Sequence, residues 1–215
     1  DIMLHLVQPF EAARHMDEAA QQVIWQNFIA DTLKTFSGKF SVLEIGSTIN
    51  RKRWAGYTLE GFLTTWEIAY QEARAAKITL AGPNITDFEP PYNIGLLSLM
   101  QRRNLLPDIH TDNLFSERCN EPERDDHKIL GHRLAPLGGF RLVKKAFVLQ
   151  EIGQHFSVPT FYSPSAFWTL PRIHRLLADG EQKQADYLAR YMLLCAASGA
   201  MARAGWGPLV CHREG

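Results

Sequence analysis

The sequence predicts an α/β protein built as a (β/α)8-type barrel that is incomplete in this chain. Three observations lead there. Short apolar runs, read as strands, recur at residues 2–7, Val42–Ile45, 78–81, 108–110, 158–162 and 204–209. Helix-like stretches separate them without an obvious hairpin signal, so strand and helix alternate and the strands should run parallel. Most runs end in polar or aromatic tails, such as Gln8-Pro9-Phe10-Glu11, Gly46-Ser47-Thr48-Ile49-Asn50 and Thr111-Asp112-Asn113. In a barrel of this type the segments after the strands gather on one face and form the site.

The elements follow in order. After the first strand, residues 12–35 read as a helix with Ala20, Ile24 and Phe28 on one stripe at intervals of four. Gly38 then supplies a helix stop before the strand at Val42. Residues 59–76 repeat the pattern with Phe62, Trp66, Ala69 and Ala73 on one face, and the strand at 78 follows almost at once. A third helix is expected over 92–104, ended by Pro107. Residues 113–133 are dense in charge and read as a solvated excursion after the fourth strand. Helices over 137–156 and 184–202 complete the set, the last turning Leu188, Tyr191, Met192 and Cys195 inward. Trp25, Trp54 and Trp66 fall at helix or loop positions and read as packing residues.

A chain of 215 residues fits one domain, residues 1–215. Its hydrophobic content of 46% and charged content of 21% are ordinary for a globular protein. Net charge is zero, which gives no support to binding of nucleic acid or an anionic membrane. Cys119, Cys195 and Cys211 have no metal-ligand spacing and suggest reduced thiols in a cytoplasmic protein. No run approaches the roughly 18 apolar residues of a membrane span. The start, Asp1-Ile2-Met3-Leu4-His5, lacks the basic region of a signal peptide. A full barrel of this class takes about 250 residues. The expectation is therefore a fragment of a longer polypeptide, its missing units lying mainly before Asp1.

Several residues can carry chemistry. Glu44 stands within an apolar strand, where a carboxylate needs a partner; it either pairs with Arg51 or Arg53 or works in the site. Asp87 and Glu89 flank Phe88 in a Pro/Gly-rich loop, and residues two apart can point the same way. They can hold a sugar hydroxyl, act as acid and base, or lie on the surface. His110 and Asp112 form a His-x-Asp pair, too little for a metal site, with His110 expected to line the pocket. Tyr162, Phe167, Trp168 and Trp206 are expected to meet at the barrel mouth, where flat rings suit the C–H faces of pyranoses. Asn50 and Asn113, at strand tails, join the substrate-binding set. Arg51-Lys52-Arg53 reads as a solvated loop, with anionic-sugar binding as the alternative. No dinucleotide, Walker or nucleophile-elbow motif is present, so no cofactor is expected.

Together the tails resemble the sugar-binding face of retaining glycoside hydrolases with the clan A type of TIM barrel. In that family the fourth strand ends in a Gly-Asn-Glu-Pro-like element bearing the acid/base. The seventh ends in a nucleophilic glutamate, the sixth often supplies a His or Tyr, and the eighth supplies a Trp. Here Glu44-Ile45-Gly46-Ser47-Thr48-Ile49-Asn50 resembles the fourth-strand element and residues 108–110 the sixth strand. Residues 160–164 resemble the seventh, and Gly205-Trp206 the eighth. Ser47-Thr48 and Ser163-Pro164 stand where the glutamates would, so both catalytic positions are degenerate. Retaining hydrolysis needs two carboxyl groups about 5 Å apart. The resemblance implies a glycosidase-like fold and a carbohydrate or glycoconjugate ligand. Two functions are compatible with it: a degenerate recognition barrel, a pseudoenzyme, and an active glycosidase using displaced carboxylates such as Glu44, Glu89 or Asp112.

Overall fold

The computed structural model describes residues 2–114, 122–123, 141–165 and 178–206. Within them a six-stranded sheet runs β1 (Met3–Leu6), β2 (Val42–Ile45), β3 (Thr79–Thr86), β4 (Ile109–Asn113), β5 (Phe161–Ser163) and β6 (Arg203–Ala204). Its spatial order is its sequence order. Every pairing is parallel, and the sheet curls as an incomplete barrel. The helices are α1 (Phe10–Arg14), α2 (Ala19–Thr35), α3 (Lys52–Ala55), α4 (Leu59–Ala76), α5 (Pro90–Arg102), α6 (Leu142–His155) and α7 (Gly180–Ser198). None is long and apolar enough to cross a membrane.

Alternation along the strands divides the core. Leu43, Ile45, Leu80, Ile85 and Phe161 belong to the large cluster that also holds Phe62, Leu63, Trp66, Leu97 and Leu149 of the helices. Residues one step along, Val42, Ala81 and Ile109, form a smaller cluster with Met3 and Tyr162 on the concave face. α4 buries the expected Phe62, Trp66, Ala69 and Ala73, and its Thr58 cap accepts from the Gly61 amide at 3.0 Å. Trp66 lies so close to β3 that a Cβ on Gly82 would overlap its ring. This is a close approach only glycine allows.

Three expected features differ. The 12–35 helix is two helices, because Met16 turns wholly into the core between them. α2 buries Trp25 and Ile29, whereas Ile24 is 59% and Phe28 48% exposed. The larger Trp25 wins the inward position and donates its indole N–H to the Thr65 carbonyl at 3.1 Å. α5 starts at Pro90-Pro91, proline suiting a first helical turn. It stops at Arg102 rather than Asn104, and Asn104 takes a left-handed conformation with φ 57°. Most of the charged segment 113–133, the start of the 137–156 helix, Phe167 and Trp168 lie outside the described residues.

Candidate functional site

A cleft of about 530 Å³ opens at the C-terminal ends of the strands. Met3 and His5 come from β1, Glu44 from β2 and Ser47, Thr48 and Trp54 from the segment after it. Asn84 and Asn113 come from β3 and β4, and Pro164 and Ser165 follow β5. The strand register sets His5 beside Glu44 and Glu44 beside Ala81. The alanine methyl leaves room above it, and Asn84 occupies that side. The β3–β4 register shifts between Gly82 and Ile85, and Asn84 there has φ 57°. A bulge of this kind re-aims a side chain out of the regular pleat.

The floor is a hydrogen-bonded row. Asn84 Nδ2 donates to Glu44 Oε1 at 2.9 Å, and Asn84 Oδ1 accepts from the Thr48 amide at 3.0 Å. Asn113 Nδ2 donates to the same Asn84 oxygen at 2.8 Å. The Thr48 backbone amide can only donate, so it fixes which end of Asn84 is oxygen, and through it the orientation of Asn113. Two acceptors are left buried without a partner, Glu44 Oε2 and Asn113 Oδ1. His5 Nδ1 lies 3.8 Å from Glu44 Oε2, and the opposite ring nitrogen bonds the Gly46 carbonyl. Burial pushes the Glu44 carboxyl above its usual range, an effect offset in part by His5, Asn84 and Thr111.

Over this floor stands Trp54. It is 68% exposed and carried by the short α3, whose end is set by Gly56 at φ 83°. A Cβ at Gly56 would meet the Phe10 carbonyl oxygen at 2.6 Å, so α3 is seated directly on α1. The packing role expected of Trp54 does not hold, while Trp25 and Trp66 are buried as expected.

The other expected site residues are distributed differently. Glu44 and Asn113 line the cleft. Glu44 pairs with Asn84 and His5, not with Arg51 or Arg53. Arg51 instead holds Asp87 at 2.8 Å and Glu89 at 2.6 Å, so one guanidinium ties up both loop carboxylates. Asn50 exchanges two hydrogen bonds with the backbone of Thr86, at 2.8 and 3.1 Å, and its amide is used there. His110 and Asp112 point from β4 to the helical layer, not to the concave face. His110 Nε2 meets Asn93 Oδ1 at 2.7 Å, and Asn93 Nδ2 donates to Asp112 Oδ2 at 2.9 Å. Burial lowers the His110 pKa to about 4. Burial also raises that of Asp112 to about 7, with Asn93 and Lys145 opposing and Asp87 and Glu89 adding to the rise. Trp206 is 6% exposed, with its ring edge-on to Tyr191 at 5.5 Å. Tyr162 is half-buried under the Arg203 guanidinium, 5.2 Å from its ring.

Sequence reasoning overlooked His5, Asn84 and Trp54. His5 was detectable as the polar residue at an inward step of an apolar strand. Asn84 depends on a bulge that no periodicity announces. Among the described residues no cluster of His, Cys, Asp and Glu can hold a metal ion. The cleft can accept hydrogen bonds from a ligand and offer it one flat aromatic face.

No family model matches the sequence, and no curated protein does. Solved structures match at the level of fold. A glucosidase from Croceicoccus marinus aligns with TM-score 0.65 and 11% identity over 86% of this chain and 38% of its own. A GH39 enzyme from Xanthomonas axonopodis pv. citri aligns with TM-score 0.60 and 11% identity, over 87% and 37%. A GH128 endo-β-1,3-glucanase from Amycolatopsis mediterranei, in complex with laminarihexaose, aligns with TM-score 0.56 and 13% identity, over 86% and 68%. The fold is thus shared with these structures, and the chain spans well under half the length of the first two neighbours.

Proposed function

We propose that this chain is a carbohydrate-recognition barrel rather than a hydrolase. The observation that carries the reading is the Glu44–Asn84–Asn113 row, with two buried oxygens unpartnered, lying in one cleft with the exposed Trp54. Buried acceptors without partners are costly in isolation and are satisfied by ligand hydroxyls, while an indole face suits the apolar side of a pyranose. The fold shared with glucosidase and glucanase structures agrees with this. So does the chemistry: of the three carboxylates considered for catalysis, Glu44 alone lines the cleft. Glu89 is bound by Arg51, and Asp112 bonds Asn93 of α5. Double displacement lacks its second carboxyl group among the described residues.

Glycan binding by calorimetry, with turnover of activated aryl glycosides measured in parallel, tests this. Trp54→Ala should weaken binding by about 1–3 kcal/mol, the scale of an aromatic anchor, and leave the fold intact because the ring is exposed. Turnover should be absent. Clear hydrolysis abolished by Glu44→Gln would establish the glycosidase reading instead.

A further inference from the structure

We propose that the cleft selects sugars bearing a free amine, unacetylated hexosamines, over neutral and anionic ones; this rests on the carbohydrate-recognition reading above. The argument begins with what the floor lacks. Both orphaned groups, Glu44 Oε2 and Asn113 Oδ1, are acceptors. The two Asn84 side-chain atoms that could vary in role are committed, the oxygen to Thr48 N–H and Asn113, the nitrogen to Glu44. The floor therefore asks its ligand for donors. A hydroxyl brings one donor together with lone pairs that need donors in return, whereas an ammonium brings three donors and no acceptor.

Charge points the same way. Glu44 is fully buried, and its second oxygen has no hydrogen-bond partner; His5 Nδ1 lies 3.8 Å away, too far for one, and Thr111 also adjoins the carboxyl group. An opposite charge in close contact favours the ionised form of a carboxyl group, which burial alone disfavours. Among the described residues lining the cleft there is no lysine or arginine to provide one. Arg51, on the segment after β2, is bound to Asp87 and Glu89. Arg51 is thereby committed to those carboxylates and does not offer its guanidinium to an anionic sugar. Trp54 adds an exposed indole at the same cleft, a surface that attracts cations as well as C–H faces. An N-acetyl group would remove the charge and place a methyl against the acceptor row.

The test is calorimetric titration of the full chain with glucosamine oligomers, the matched N-acetylated oligomers and neutral glucose oligomers. All three are titrated at one near-neutral pH, because acid would neutralise the Glu44 carboxyl that burial already pushes above its usual range. Free-amine oligomers should bind at least about tenfold more tightly than the other two, as a charged hydrogen bond replaces a neutral one. Glu44→Gln, which keeps the side-chain shape, should reduce that preference to within about twofold. Trp54→Ala should weaken all binding ligands, the free-amine oligomers somewhat more, and leave a preference that still depends on Glu44. Equal affinity for amine and neutral oligomers overturns the amine selectivity and leaves carbohydrate recognition standing. Binding of none of the three overturns both. A preference that survives Glu44→Gln places the amine elsewhere and also overturns the proposal.

Discussion

Asp112, Asn93 and His110 form a buried chain of side chains behind β4, and their ionisation leaves a signature in stability. Asp112 titrates near 7 in the fold against about 4 in the unfolded chain, so the native state holds the extra proton. Its stabilising contribution is complete below about pH 4 and is lost as pH rises through about 7, a change on the order of 4 kcal/mol. His110 has the opposite sign. With a native pKa of about 4 it stays neutral, and stability falls as pH drops from about 6.5 towards 4. Asp112→Asn should therefore gain stability relative to the parent as pH rises from 4 to 7.5, which urea melts across that range will measure. A stability difference independent of pH would show that Asp112 is charged in the fold. The same residues show where the sequence stops being legible. His110-x-Asp112 was visible as a pair. Which face of β4 it occupied depended on one step of register, and that step separates a cleft from a helical layer.

At the scale of elements, alternation and helical spacing identified the six strands and most helices, because each buries one face and polar residues mark the other. The stripe chosen on α2 was displaced by one residue. Ala20-Ile24-Phe28 and Trp25-Ile29 both satisfy a spacing of four, and tertiary packing decides between them. The difference has a measurable consequence. Trp25→Ala should cost about 3–5 kcal/mol, a large cavity next to α4. Ile24→Ala should change stability by no more than about 0.5 kcal/mol. Denaturant melts giving similar losses for both would contradict the observed orientation. The bulge that presents Asn84 and the short α3 that presents Trp54 were beyond such reasoning. Neither has a period, and both depend on contacts distant in sequence.

At the scale of the molecule, the parallel sheet of the described residues has two outer strands rather than a closed circuit. β1 pairs on one side with β2, and Ile2 and Val7 at its ends are exposed. An open, apolar strand edge is a template for another chain. The open edge of the described sheet leads to a direct outcome. The isolated chain should self-associate in light scattering, and Ile2→Lys with Val7→Lys should reduce it. A monomer that unfolds cooperatively at all concentrations would count against an adhesive β1 edge.

The paired hydrogen bonds between Asn50 and Thr86 have a consequence for the cleft's mechanics. β2 ends at Ile45, yet the Asn50 side chain meets the Thr86 N–H and carbonyl as a neighbouring strand would. It acts as a prosthetic rung, extending the ladder where the main chain has already turned away. The segment after β2 is thus clamped to the end of β3. Solvent exchange of the Thr86 amide would then report on a side chain rather than on a strand. Asn50→Ala should speed that single proton's exchange while its neighbours along β3 keep their protection.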